Sequence, residues 1–286
     1  MKIAIIGAGT MGSGIAEVFA RLGHTVALYS RSRSTLDAAR QSLGAEAGQV
    51  RFTTDLAACL EGAQVVSENV AEDPALKCDL FAAIETHVDG DCLLTSNTSS
   101  VPIGSIAARL RQPERLVGLH WFNPPAVMPL RGPATADSVV DRVAALSRAI
   151  GKESIEVRTD VPGFVINRLQ YAILREALHL VESGVASIRD VDRAVETTLA
   201  PRWASAGPLR LMDLAGLDTV AKVSAILMPA LDRGVDVPAL VSRLAAERHL
   251  GSKTGRGFYT WTSEEITAAK ADRDDVVRLL TERRGA

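Results

Sequence analysis

The sequence predicts an α/β chain: a Rossmann-type doubly wound parallel sheet followed by an all-α C-terminal domain. Short apolar runs alternate with amphipathic stretches through the first half, the pattern of parallel strands joined by crossover helices. A glycine-rich turn, Gly7-Ala8-Gly9-Thr10-Met11-Gly12, directly follows the first of those runs. After Asp160 the strand-like runs stop and a helical period takes over.

In chain order, runs 3–6, 25–29, 50–53, 64–67, 92–96 and 116–119 read as strands, with 13–22 as the first helix. Segment 163–184 places Ile166, Leu169, Ile173, Ala177 and Leu180 at helical spacing, with Pro162 before it and Gly184 as a C-terminal cap. The remainder reads helical, with breaks at Pro201, Pro208 and 251–257, and 264–286 as a charged terminal helix. Loop 251–259 reads either as structural or as an approach to substrate. The expected domains are 1–160 and 161–286.

A chain of 286 residues that is 47% apolar buries a sizeable core. Its 32 Lys and Arg against 34 Asp and Glu give no basic field for nucleic acid or an anionic membrane. A small-molecule substrate is therefore expected. Cys59, Cys78 and Cys92 show no metal-ligand spacing and read as buried thiols, with no metal site expected. The chain enters a strand at once, and no apolar run reaches the roughly 18 residues of a membrane span. A cytoplasmic protein is the expectation.

The glycine turn carries the first chemistry. Gly7 permits a tight turn, Gly9 lets backbone approach a pyrophosphate, and Gly12 allows close packing of helix on strand, with Thr10 and Met11 between them. The helix N-terminus then offers amides and partial positive charge to the phosphates. An NAD site usually carries an acidic residue about 20 residues into the motif. This chain has Ser30, Arg31, Ser32 and Arg33 instead. With no carboxylate to repel a 2′-phosphate, Ser30, Arg31 and Arg33 favour NADP(H), with NAD(H) as the alternative; a solvated basic loop is the plainer reading.

The second chemistry is a histidine, a hydroxyl and a carboxamide able to meet on one carbonyl oxygen: His120 of GLHWFNPP, Ser99 of SNTSS and Asn167 of PGFVINRL. Each has a structural alternative. Ser99 or Ser100 can cap a helix begun by Pro102, Asn167 can be a polar first-turn residue, and His120 a satisfied strand-end histidine.

These motifs, together with ENVAEDPALK, GAGTMG and GSKTGRGFY, occur in an order similar to that of the 3-hydroxyacyl-CoA dehydrogenase family. The NRLQYAILREALHLVESG helix also resembles the lambda-crystallin and L-gulonate dehydrogenase branch. The resemblance implies a Rossmann domain and a helical substrate domain that dimerises. It further implies His120 as catalytic acid/base, Ser99 and Asn167 as hydrogen-bonding partners of the reacting oxygen, and Glu72, Lys77 and Asn97 as cofactor-side residues. The expected reaction is hydride transfer at the 3-position of a 3-hydroxyacyl or 3-oxoacyl thioester. A free β-hydroxy acid substrate, or a non-catalytic NADP-binding relative, is the alternative.

The chain departs from the family pattern twice. The strand that brings a glutamate to the histidine is shortened, and Gly132 stands at the glutamate's position. Glu153, Glu156 or Asp213 are the candidate substitutes, and without one His120 is expected to be a poorer proton donor at neutral pH. The connection between Arg33 and Asp55 is short, which puts a CoA-holding segment in doubt.

Overall fold

The computed structural model describes residues 1–121, 126–159 and 161–284; 122–125, within the GLHWFNPP motif, and Asp160, at the expected domain boundary, lie outside them. The chain forms two compact units, Met1–Ile166 and Asn167–Ala286.

The first unit is an eight-stranded sheet: β1 (Lys2–Ile6), β2 (Thr25–Tyr29), β3 (Val50–Thr53), β4 (Val65–Glu68), β5 (Leu93–Ser96), β6 (Leu116–Trp121), β7 (Ala126–Leu130) and β8 (Glu153–Ser154). Their order is β3-β2-β1-β4-β5-β6-β7-β8. Strands pair in parallel up to β6; β7 runs antiparallel to β6, with His120 opposite Met128, and β8 runs parallel to β7. The doubly wound sheet is the one the sequence predicts, with β7 and β8 added.

Helices α1 (Thr10–Arg21), α2 (Arg33–Leu43), α3 (Leu56–Leu60), α4 (Pro74–Glu85), α5 (Ile103–Ala107) and α6 (Asp137–Ala149) cover the two faces. β1 shows why the sheet is buried on both sides. Ile3 and Ile5 pack with side chains of α1, α2 and α6, whereas Ala4 and Ile6 pack with those of α3, α4 and α5. Such doubly covered strands read as continuous apolar runs, and each fully buried Ile, Leu or Phe contributes about 1.5–3 kcal/mol. Ser32, Asp55 and Asp73 cap α2, α3 and α4 by accepting the backbone N–H three residues on. α1 begins at Thr10, earlier than the sequence suggests, and Gly9 at its N-cap has no side chain to occupy the first amides.

The second unit is helical: α7 (Ile166–Glu182), α8 (Ile188–Ala194), α9 (Ala200–Ser205), α10 (Pro208–Ala215), α11 (Leu217–Leu227), α12 (Ala239–Ala246) and α13 (Ser263–Arg284), with a π-helical turn over Val195–Leu199. Gly184, at φ +74, follows α7. Within this unit the 251–259 loop closes on itself through bridges at Arg256, and the Tyr259 hydroxyl donates to Asp192 at 2.6 Å. Among the described residues no helix is long and apolar enough to cross a membrane. Cys59 and Cys92 are buried, but Cys78 is only half-buried, at variance with the expected third buried thiol.

Candidate active site

The glycine turn lies between β1 and α1. Gly7 has φ +106, and a Cβ there would come within 2.5 Å of the Asn69 carbonyl oxygen; at Gly12 a Cβ would lie 1.8 Å from the Gly7 carbonyl oxygen. Both positions admit only glycine. A Cβ on Gly9 would meet nothing within 4 Å, so open space lies above that residue. This cradle, with the uncapped amides of α1 and exposed Thr10 and Met11 beside it, fits a dinucleotide pyrophosphate.

Just past β2, the Ser30 hydroxyl accepts the Ser32 amide at 3.3 Å, while Ser32 caps α2. Arg31 and Arg33 are exposed. Neither guanidinium meets a carboxylate among the described residues.

A buried charge cluster stands on the opposite side of the glycine turn. Glu68 ends β4 and Lys77 lies in the first turn of α4; both are buried. The Lys77 ammonium donates to both Glu68 oxygens at 2.8 and 3.0 Å, and the Ser96 hydroxyl and Val70 amide donate to the same carboxylate at 2.6 and 2.7 Å. Burial of ions is costly unless they are paired and hydrogen-bonded; here the partners are supplied. Lys77 also lies 3.3 Å from Glu72. Lys77 is therefore shared between two carboxylates of its own chain, and it anchors Glu72.

Glu72 in turn gathers the SNTSS turn. Its Oε1 accepts the amides of Ser99 and Ser100 at 2.7 and 2.6 Å and the Thr98 hydroxyl at 2.7 Å. Burial pushes the Glu72 pKa up, but the Thr98 and Ser100 hydrogen bonds, the Lys77 charge and the Ser99 amide outweigh it and hold the group at about 2. Ser99 and Ser100 do not cap α5, whose N-cap, Pro102, has no side-chain hydrogen bond. Asn97 bridges strand ends instead: its amide nitrogen donates to Asn69 at 3.0 Å and its oxygen accepts the Trp121 amide at 2.9 Å.

On this fixed turn the Ser99 hydroxyl meets His120 Nε2 at 3.0 Å. His120 is 7% exposed, near the end of β6, its ring 6.3 Å from that of Phe164. Burial lowers its pKa below the ordinary value, and the charge of Glu72 opposes that shift. Of the substitutes considered from the sequence, Glu156 pairs with Arg131 at 3.6 Å, Asp213 lies in α10 of the second unit, and the Glu153 side chain lies outside the described residues. A side chain at Gly132 would strike Ile103 Cγ2 at 2.7 Å, so this backbone has no room for a glutamate there. Asn167 is in the first turn of α7, in the second unit.

Sequence reasoning passed over Glu68. The available signal was an acidic residue ending an apolar strand with a lysine on the helix that follows, because a carboxylate so placed needs a buried cation.

A doubly wound sheet with a pyrophosphate cradle beside a serine–histidine pair defines a nicotinamide-dinucleotide oxidoreductase. Residues 2–161 match the NAD binding domain of 3-hydroxyacyl-CoA dehydrogenase, and residues 163–261 match its C-terminal domain. The chain belongs to the 3-hydroxyacyl-CoA dehydrogenase family. It is 38% identical over 291 residues to the 5-formyl-3-hydroxy-2-methylpyridine 4-carboxylate 5-dehydrogenase of Mesorhizobium japonicum, covering 95% of this chain and 94% of the relative. It is also 38% identical over 285 residues to a 3-hydroxybutyryl-CoA dehydrogenase of Mycobacterium tuberculosis, covering 91% and 98%. A solved structure of a pyridine-carboxylate dehydrogenase, described as an NAD+ dependent dismutase, superposes with a TM-score of 0.92 at 37% identity over 99% of this chain and 97% of the other. The (S)-3-hydroxybutyryl-CoA dehydrogenase of Ralstonia eutropha gives 0.75 at 30% identity over 92% and 99%.

Proposed function

We propose that the chain exchanges hydride between a nicotinamide dinucleotide and the oxygen-bearing carbon of a small substrate, with His120 as acid/base and Ser99 as hydrogen-bond partner of the reacting oxygen. The observation that carries this reading is the 3.0 Å contact between Ser99 Oγ and His120 Nε2 on a turn pinned by Glu72. In the oxidative direction neutral His120 takes the hydroxyl proton at Nε2 as the carbon releases hydride; in reduction protonated His120 returns it to the developing alkoxide. The nicotinamide, when bound, supplies the hydride acceptor or donor. The family pattern adds Asn167 as a further contact to that oxygen, which Asn167→Ala tests.

The substrate we favour is a free small carboxylic acid. α2 passes through a single 3-10 segment, Gly44–Gln49, straight into β3, leaving no long excursion to hold a CoA moiety. The pyridine-carboxylate relative, named for a substrate without a thioester, also matches over nearly the whole chain. A 3-oxoacyl thioester is the second reading, supported by the equal identity to a 3-hydroxybutyryl-CoA dehydrogenase. Exposed Arg31 and Arg33, with Ser30, favour NADP(H). Apolar Leu209, Leu214 and Ile226 of the helical unit are exposed, consistent with a homodimer.

Oxidation of NADPH and NADH is measured with acetoacetyl-CoA, acetoacetate and an aromatic aldehyde carboxylate, with His120→Ala as the control. Turnover of the free acids that disappears in the variant supports the reading; turnover confined to the thioester replaces it with the second. Tight cofactor binding with no turnover of any carbonyl overturns both.

A further inference from the structure

Phe164, in the first unit, has a backbone that an aromatic residue rarely adopts. Its φ is +49 and follows Gly163 at +76, so two consecutive residues lie in the left-handed region. Glycine occupies that region freely. In a bulky residue the Cβ crowds the following carbonyl, and the conformation persists only where the surrounding structure over-determines it. Two contacts hold it here: the Phe164 amide donates to the Val161 carbonyl at 3.0 Å, and the phenyl ring is 2% exposed within the apolar cluster on the α3, α4 and α5 side of the sheet.

The strained backbone delivers that ring to the histidine. β6 directs Leu116, Gly118 and His120 toward one sheet face, and Leu116 belongs to the Phe164 cluster. At Gly118 the packing is so close that a Cβ would lie 2.6 Å from Leu130 Cβ and 2.8 Å from Ile103 Cδ1, both members of that cluster. His120 continues this face. Its ring centre lies 6.3 Å from that of Phe164, with the planes tilted by 56°, within the roughly 4.5–7 Å span of interacting aromatic pairs. Its Nε2 meets the Ser99 hydroxyl. Glu72, itself 3.3 Å from Lys77, is the charge that acts on the imidazole; β5, β7, α5 and segment 161–166 contain no acidic or basic residue and no further histidine. Burial opposes Glu72 and is the larger influence.

We propose that Phe164 is a positioning residue: its strained backbone carries a phenyl wall that holds the imidazole toward Ser99 and keeps water from it. The proposal rests on the reading of His120 as the acid/base, and it adds that a side chain with no polar atom governs how readily that group takes up a proton.

Histidine labelled with carbon-13 in the ring gives one resonance for each of the chain's five histidines, and His120→Gln identifies the relevant one. Phe164→Gly and Phe164→Ala both remove the ring. Both should raise the His120 titration midpoint by about half a pH unit or more, with the other histidines unmoved, and lower kcat about tenfold with NADPH or NADH affinity unchanged. The two variants differ in the backbone, since glycine relieves the left-handed conformation and alanine retains it. Phe164→Gly should therefore melt at or above Phe164→Ala, the reverse of the usual order. If neither folds, Phe164→Leu decides, with a smaller rise of the same midpoint expected. A midpoint that stays in place, one that moves together with all the other histidines, or an unchanged kcat overturns the proposal, and alanine melting clearly above glycine overturns the strained backbone on which it rests. The titration needs no turnover, so the expected rise in a protein that turns over no carbonyl overturns the reading of His120 as acid/base and supports the placement of Phe164.

Discussion

Glu72 holds Ser99: its Oε1 accepts the Ser99 amide at 2.7 Å, and the Ser99 hydroxyl in turn meets His120 at 3.0 Å. The carboxylate is thus one residue removed from the imidazole, positions its partner and adds a charge that favours its protonation. Glu72→Gln keeps the shape and removes the charge. It should lower kcat about 10- to 100-fold, the scale of a charge-assisted hydrogen bond of about 1.5–3 kcal/mol. It should also move the His120 limb of the pH–rate profile to lower pH. A limb that stays in place would reduce Glu72 to a scaffold for the turn.

His120 itself sets the direction of pH dependence. Burial lowers its pKa from the ordinary 6.5, so neutral imidazole, the base for oxidation in the proposed reaction, prevails through neutral pH. Carbonyl reduction requires the protonated form and should accelerate as pH falls below about 6.5, while oxidation declines over the same interval. His120→Gln should abolish the limb and cost about 100-fold or more in rate. Matched forward and reverse profiles would show whether one group governs both.

The same Glu72 carboxylate makes folding sensitive to acid. Its pKa is about 2 in the folded chain against about 4.3 in an unfolded one. A depressed acid binds fewer protons folded than unfolded, so its stabilisation is fully present above about pH 4.3 and is lost as pH falls toward 2. Thermal melts of wild type and Glu72→Gln should therefore converge as pH drops from 5 to about 2. Curves that stay parallel would refute the linkage.

Lys77→Met leaves Glu68 buried without its cation, a change that typically costs about 3–5 kcal/mol. Lys77→Met combined with Glu68→Gln should recover much of that loss, because the residual carboxamide no longer carries a buried charge. Additive losses in urea unfolding would contradict a coupled pair.

Strands β1 to β6 were legible because each is an apolar run bounded by helix signals, and the glycine turn because its spacing reports backbone contacts directly. β7 and β8 were not. β7 contains Pro129 and β8 has two residues, so neither presents a strand-like pattern. The site was legible as a set of residues, Ser99 and His120, but not as a circuit. Nothing in linear order says that Glu72 turns toward the Ser99 amide, or that Glu68 is buried beside Lys77; those contacts arise only when β4 and β5 pair. The loss of space at Gly132 was equally hidden, since it depends on Ile103 of a distant helix.

The proposed NADP(H) preference rests on the end of β2. Arg31 is exposed with no carboxylate partner, and Ser32, which caps α2, fixes the turn around it. A guanidinium there pairs with a 2′-phosphate dianion but gains little from a neutral ribose hydroxyl. Arg31→Glu both removes the attraction and sets a like charge against the phosphate. NADPH binding should weaken about 100-fold while NADH binding changes by no more than about threefold, and added salt should narrow the wild-type preference because the pair is screened. Calorimetric titration with each cofactor at two salt concentrations measures all four quantities. Equal losses for the two cofactors would place Arg31 outside the ribose pocket and leave NAD(H) as the partner of this site.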